Sequence, residues 1–386
     1  MNSIIKYNKS ITIVLTTAII YAVFLFGQLY KANWNFSQFI YAGNYFVSNS
    51  EMPKSFITHN NLGYDGEFYY RFSLNPFSYK LKDYGILLDS PAYRQQRIMY
   101  PFIAWVFTYG NPNLLPIELV LLNFLGICLL AYIGTKFCKY FHKPIFLGMI
   151  FPFYAGFLFT LSFDLTEIFE ITFLLAGLLF FLKKNYWQSS LFLSLAVITK
   201  ETAIITPLVI LLFWLKDKIL KVKSRNWQPA IIPISVFILY HVWLFYRWGP
   251  LWRSEINNNI GIPFDGIYSF ILSIFPSSNH FQYINLYAVC FILILQGLFL
   301  YSNFRKKGCF NLLGLLWSFY FILAFSLKTH VWVEDRAYLR AISDGIMIGF
   351  LLLLQSKSKL IYPAFILTSL TWLIYFIELF QYRGFN

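Results

Sequence analysis

The sequence predicts an all-α polytopic membrane protein, and three observations carry that prediction. Hydrophobic types make up 58% of the 386 residues and charged types 12%, whereas soluble domains carry about 25% charged residues. Apolar runs of spanning length, about 20 residues, recur along the whole chain, in keeping with a mean hydropathy of +0.57. These runs are continuous and lack the alternation of membrane-barrel strands. Hydrocarbon offers no partner to a backbone amide, so continuous apolar segments must satisfy themselves as helices. The expectation is one transmembrane domain over 1–386 with about 9–11 transmembrane helices.

The first run, 11–30, follows Lys6 and Lys9 and no small-x-small cleavage site follows it cleanly. It reads as an uncleaved first span, not a signal peptide. Residues 31–113 then form a large first outer loop. Within it, 37–47 fits a short amphipathic helix, and 98–109 (IMYPFIAWVFTY) is too short to span and reads as interfacial. Spans follow at 114–135, 143–161 and 165–182. The apolar stretch 187–215 is broken by Thr199-Lys200-Glu201-Thr202. A single span there would leave the basic stretch KDKILKVKSRN (216–226) outside, against the positive-inside rule. Two short helices, down and back, keep it inside and bury the Lys200-Glu201 turn near the outer half. The remaining spans are 229–247, 284–302, 310–327, 338–354 and 360–379, with a second outer loop at 248–283.

Charge fixes the expected orientation. With the N-terminus inside, the cytoplasmic ends collect most of the basic side chains, including clusters at 136–143, 216–225 and 305–307, and one acid, Asp217. The net charge of +14 is then chiefly a topology signal and does not imply nucleic-acid binding. Cys128, Cys138, Cys290 and Cys309 show neither metal-ligand spacing nor a disulfide framework. No repeat or low-complexity stretch is present.

Ionisable residues in or beside a membrane are costly and mark function by default. Four groups stand out, all on the expected outer side. In NNLGYDGEFYYRFSLNP (61–77), Gly63 and Gly66 flank Tyr64-Asp65, a turn with either an exposed carboxylate or a general base whose basicity rises near aromatics. In SPAYRQQRIMYP (90–101), Arg94 and Arg97 lie three apart, suited to forked phosphate contacts or to snorkelling. In SFDLTEIFE (162–170), Asp164 and Glu167 share a face at a helix start, with Glu170 deeper on that face. In KTHVWVEDRAYLRAISDG (328–345), Arg336, Arg340 and Asp344 recur every four residues, and Arg340 and Asp344 are spaced to neutralise each other. His330 reads as a satisfied loop histidine. Acids able to act as bases thus face arginines able to hold phosphate, which suits a reaction on a lipid-linked phosphate donor.

At these residues the chain resembles bacterial members of the C-type glycosyltransferase superfamily, multi-span enzymes that use polyprenyl-phosphate sugars, and in particular those linked to cell-surface glycopolymers. The resemblance rests on Tyr64-Asp65-Gly66-Glu67-Phe68-Tyr69-Tyr70, Asn75-Pro76, Tyr93-Arg94 with Arg97-Ile98 and Tyr100-Pro101, Thr199-Lys200-Glu201, and Trp332 with Asp335 and Arg340. Glu67 replaces the family's usual amide and Asn75 its usual aspartate. The resemblance implies transfer of a hexosyl or pentosyl unit from a lipid phosphate, usually with inversion. Asp65 takes the place of the first-loop acid that activates the acceptor, and the interfacial segment 98–109 frames the donor cavity.

The expected phosphate-binding residues are Arg94, Arg97, Lys200, Arg336 and Arg340, with Glu67, Asp164, Glu167, Glu201 and Asp335 as supporting acids. No cofactor is expected. A divalent metal shared by Asp65, Asp164 and Glu167 is not favoured, and the absence of a nucleotide-binding glycine loop fits a lipid donor. The expected partners are a polyprenyl-phosphate-linked sugar, the lipid bilayer and a glycan, lipid or protein acceptor, with no nucleic acid. The expected location is a bacterial inner or plasma membrane, with the N-terminus cytoplasmic and the site extracytoplasmic. A lipid or sugar transporter or flippase, and a non-catalytic subunit of a surface-polymer system, are the competing classes.

Overall fold

A computed structural model describes residues 2–221, 226–249, 259–274, 280–304, 311–333 and 337–382. Asp335 and Arg336 of the expected site, and parts of the loop 248–283, lie outside these residues.

The long apolar runs form helices where expected. The chain begins with α1 (Asn2–Lys31). The segment after it holds β1 (Ala42–Gly43), parallel to β2 (Thr58–His59), then α2 (Gly66–Leu74), the antiparallel pair β3 (Lys82–Asp83) and β4 (Ile86–Leu87), α3 (Pro91–Gln95) and α4 (Met99–Thr108). Next come α5 (Leu115–Tyr140), α6 (Ala155–Ser162), α7 (Glu167–Leu182), α8 (Tyr186–Val197), α9 (Ile205–Ile219) and α10 (Gln228–Trp248). The chain continues through α11 (Asp265–Ile274), α12 (His280–Phe304), α13 (Leu312–Phe325), α14 (Thr329–Val333), α15 (Ala337–Ala341), α16 (Ser343–Gln355) and α17 (Ile361–Tyr382).

Among the described residues, α1, α5, α10, α12 and α17 are long and apolar enough to cross a membrane. They carry apolar stripes at helical spacing, Leu15, Ile19, Val23 and Phe26 on α1 and Ile366, Leu370, Leu373 and Ile377 on α17, all left exposed by the protein. Stripes of this size need a cover, which lipid supplies.

Four of the expected spans are not continuous spanning helices. The run 143–161 is a 3-10 turn, Ile145–Ile150, followed by the short α6. The run 165–182 is α7, 16 residues and so about 24 Å long. The run 310–327 is the 14-residue α13. The run 338–354 is divided into α15 and α16. For three of them the reason is position: α6, most of α7, and α16 from Ser343 to Leu354 are buried in protein, whereas α13 keeps Phe319 and Ile322 exposed. Helix ends at that depth are tolerated because neighbouring side chains, instead of lipid, meet their backbone groups. The break in 187–215 occurs where the sequence places it, with α8 and α9 meeting at the 3-10 turn Glu201–Ile204 and α10 packed against both.

The expected helix over 37–47 is a single 3-10 turn, Phe36–Phe39, capped by the Asn35 side chain, which accepts from the Ser37 amide at 3.0 Å. The chain then leaves helical geometry at Tyr41 (φ 51°) and enters β1. The segment 98–109, expected to be interfacial, forms the helix α4, ended by Tyr109 and Gly110, both at positive φ.

Away from the first loop, Lys143 donates to the Ser356 carbonyl (2.8 Å) and Asn311 donates to Gln355 (2.7 Å), gathering three connections at one end of the bundle. Small residues set the closest backbone approach. A Cβ on Gly134 of α5 would lie 2.4 Å from the Gly148 carbonyl oxygen, and one on Gly148 would lie 2.6 Å from the Thr135 amide nitrogen. Backbone cannot rotate away as a side chain can. Gly134→Val should therefore destabilise the protein by about 1–3 kcal/mol, read as a lower midpoint of thermal unfolding in detergent. An unchanged midpoint would show that this contact is not tight.

Candidate active site

Seven of the residues singled out in the sequence meet in one place. Asp65, Arg94, Arg97, Glu167, Lys200, Glu201 and Arg340 all line a cavity of about 850 Å³. A volume in this range accepts a drug-sized ligand. Its polar side is built by the turn before α2, the α3–α4 junction, the start of α7, the α8–α9 break and α15. Its other side is apolar, from Phe237, Ile238, Val242 and Phe245 of α10 and Leu323 and Leu327 at the end of α13.

The cations are held by carboxylates from distant parts of the chain. Arg94 donates to Asp65 at 2.6 Å and makes a forked pair with Asp89 at 2.9 and 2.6 Å, while its guanidinium lies over the Phe68 ring. Arg97 makes a forked pair with Glu201 at 3.0 and 2.6 Å and donates to the Tyr93 and Tyr69 hydroxyls. Arg340 donates to Glu167 at 3.0 Å and to the Tyr64 hydroxyl at 2.6 Å. The alternative reading, in which Arg340 and Asp344 neutralise each other, does not hold. Asp344 instead accepts from Thr202 at 2.7 Å and lies 4.0 Å from Lys200, because the turn between α15 and α16 points the two side chains to different partners.

Lys200 differs from the arginines. It is buried, and its Nζ makes one long hydrogen bond, 3.5 Å to the Arg340 carbonyl oxygen. An ammonium has three donors, so at the cavity wall its hydrogen-bonding capacity is largely unused, although the Asp344 carboxylate lies 4.0 Å away. Such a group suits an anion.

Asp65 is not made more basic by its surroundings, contrary to the expectation from its aromatic neighbours. Burial pushes its carboxyl up, but Arg94, with Arg340 and Arg97 behind it, more than reverses this and holds it below the ordinary carboxylate range. Asp65 is therefore ionised at neutral pH. Burial lowers the Arg94 guanidinium, and Asp65 and Asp89 raise it well above its usual value, so it stays charged.

Two of the expected supporting acids stand elsewhere. Glu67 is fully buried beneath the loop and does not line the cavity; the α2 helix turns it away from Asp65 and into the backbone of β1. Asp164 precedes α7 in a left-handed conformation (φ 48°), so it does not share the Glu167 face. Glu170, one turn deeper, is fully buried and also lines no part of the cavity. Arg71 is likewise removed: it donates to the Lys80 carbonyl, and burial lowers its guanidinium to about 10.

Other residues escaped the sequence reading. Tyr93 lies four residues before Arg97, a spacing that makes their contact foreseeable. Asp89 carried only the weak signal of an acid before a short Ser-Pro helix start. His330, read in the sequence as a satisfied loop histidine, lies in α14, pairs with Asn259 at 2.9 Å and also lines the cavity. His241 also lines it; its Nδ1 lies 2.9 Å from the Phe237 carbonyl oxygen and so donates, which leaves Nε2 as an acceptor. Its place inside the apolar run 229–247 was a signal that the sequence reading passed over.

Among the described residues, no group of three or more His, Cys, Asp or Glu side chains is placed to hold a metal ion. Compared with protein families, with curated proteins and with solved structures, the chain has no significant match.

The forked Arg97–Glu201 pair joins the α3–α4 junction to the α8–α9 break across 104 positions. Removing one partner of a buried pair costs about 3–5 kcal/mol, and Glu201 keeps 28% of its side chain exposed, so Glu201→Ala should cost about 3 kcal/mol. The double variant Arg97→Met with Glu201→Leu should recover more than half of this. A denaturation double-mutant cycle checks it, and additive losses would remove the pair from the folding account.

Proposed function

We propose that the chain is a membrane glycosyltransferase that moves a sugar from a polyprenyl-phosphate donor to an acceptor hydroxyl on the extracytoplasmic face. The observation that carries this reading is the two-sided cavity: Asp65, Lys200 and three arginines on one wall and an apolar α10–α13 wall opposite. A lipid phosphate has the same two-sided chemistry. The C-type superfamily resemblance, the basic clusters expected in the cytoplasm and the five apolar helices support it further, with the N-terminus inside and 31–113 outside.

In this reading the donor phosphate binds Lys200, with Arg97 and Arg340 beside it, and the lipid lies against Phe237, Val242, Phe245 and Leu327. Asp65 accepts the proton of the acceptor hydroxyl. The acceptor oxygen bonds to the anomeric carbon as the bond from that carbon to the phosphate oxygen breaks, and the electron pair leaves on the phosphate. Fixed cations at that oxygen stabilise charge that develops only in the transition state. Attack opposite the leaving group gives inversion. Arg94 keeps Asp65 ionised and oriented. No metal is assigned a role.

A transporter or flippase for the same lipid phosphate is the second reading, favoured by the discontinuous helices α6–α9 and α13–α16 around the cavity. The two separate on one variant. Asp65→Asn should lower sugar transfer by at least ~100-fold, the usual worth of a general base, with insertion and thermal stability retained. A donor-and-acceptor screen in membranes measures it, and full transfer by this variant removes Asp65 as base. Retained lipid translocation, with no transfer by either protein, would favour the transporter.

Arg340→Lys tests the phosphate contact. It keeps the charge and loses the fork, so the donor KM should rise about tenfold, the cost of one charged hydrogen bond. Unchanged donor kinetics would confine Arg340 to holding Glu167 and Tyr64.

A further inference from the structure

Glu67 stands two residues beyond Asp65, in the first turn of α2, and takes no part in the chemistry assigned above. Its side chain is fully buried. Oε2 accepts the backbone N–H of Gly43 at 2.8 Å, and Oε1 has no hydrogen-bond partner. The carboxyl is wedged between two backbones: a Cβ on Gly63, which has φ +71°, would lie 2.5 Å from Oε2, and Gly43 packs directly on Gly63.

A buried carboxylate with one neutral donor and no contacting cation is a costly arrangement. The charged groups facing Glu67 are Asp65 from its own helix, Asp89 from the segment before α3, and Arg94 from α3; β1 contributes only the Gly43 amide. The one cation among them is already shared by Asp65 and Asp89. The two acids oppose a third negative charge beside them. The helix N-terminus favours an anion, but nine residues of α2 offset this only in part. Burial is the largest influence and pushes the Glu67 carboxyl up to about 8, against the pull of the Gly43 bond and of Arg94.

We propose that Glu67 is a positioning residue that keeps its proton at neutral pH and, as a neutral acid, pins the Tyr64–Asp65–Gly66 turn to β1. In that form its carbonyl oxygen accepts from Gly43, as a side-chain amide would, and no charge is buried. This turn is narrow: Gly66 lies where a Cβ would meet the Phe163 and Ile40 carbonyl oxygens at 2.3 and 2.6 Å. It carries both Asp65 and the Tyr64 hydroxyl that Arg340 binds. Ionisation of Glu67 places a charge behind Asp65 that competes for Arg94 and loosens the turn. The effect on transfer rests on the glycosyltransferase reading; the proton itself does not.

The experiment compares wild type with Glu67→Gln, which keeps the acceptor and removes the ionisation, using three readouts. Infrared difference spectra at pH 7 should show a protonated-carboxyl band in wild type that is absent from Glu67→Gln and fades as the pH passes about 8. Thermal stability supplies the second. A carboxyl raised from its ordinary 4.5 to about 8 favours the fold most at low pH, and this contribution falls away as the pH rises through that interval. The Tm of wild type relative to Glu67→Gln should therefore drop between pH 5 and 9.

The third readout is transfer. It should fall roughly tenfold in wild type from pH 7 to 9, as the protonated fraction does, with kcat carrying the loss, and Glu67→Gln should lack this limb. A missing band at pH 7, or a Tm difference constant with pH, overturns the proposal. So does a shared alkaline limb in transfer. If the glycosyltransferase reading fails instead, neither protein transfers sugar at any pH, while the infrared and Tm results still decide the proton.

Discussion

The structure depends on matching charge among side chains largely buried from water. Each arginine lining the cavity meets a carboxylate, and most of these partners are far away in sequence: Arg97 and Glu201 lie 104 positions apart, and Glu167 and Arg340 lie 173 apart. An unmatched charge at this depth is prohibitive, whereas a matched and forked pair is tolerated. These pairs therefore act as ties, joining the first loop to the α8–α9 break and α7 to α15. Lys200 is held more loosely, with the Asp344 carboxylate 4.0 Å away and one hydrogen bond of 3.5 Å, to the Arg340 carbonyl oxygen.

The same constraint explains the uneven helix lengths. The five long apolar helices present stripes toward lipid, whereas α6, α7 and α16 are surrounded by protein. Helices this deeply surrounded can be short or interrupted. A helix end exposes amides and carbonyls, and these need partners that hydrocarbon cannot give. Short helices ending around a polar cavity meet that need and at the same time deliver Glu167, Lys200, Glu201 and Arg340 to it.

Asp65 and Glu67, two residues apart, show how local surroundings divide chemically similar groups. Three arginines hold Asp65 ionised, and burial without a free cation pushes Glu67 up to about 8. Adjacent positions on a helix start point in different directions, so one carboxyl reaches the cavity and the other reaches the backbone of β1. Two carboxyls two residues apart in one loop are thus pushed in opposite directions by their surroundings.

Much of the architecture was legible in the sequence. Uninterrupted apolar runs of about 20 residues required helices, and the polar break at Lys200-Glu201 marked a discontinuity, because the energetics of single residues in hydrocarbon are local properties. The cavity residues were legible for the same reason: Asp65, Arg94, Arg97, Glu167, Lys200, Glu201 and Arg340 were each out of place in an oily chain. Only the tertiary structure decided that the apolar runs at 143–161, 165–182 and 338–354 are sheltered enough to be short or divided. It also decided that Arg340 faces Glu167 and not Asp344, that Asp164 and Glu67 turn away from the cavity, and that His241 turns toward it. Composition fixes what each residue costs to bury, but partners are chosen by packing between segments more than a hundred residues apart, and no spacing rule along the chain contains that information.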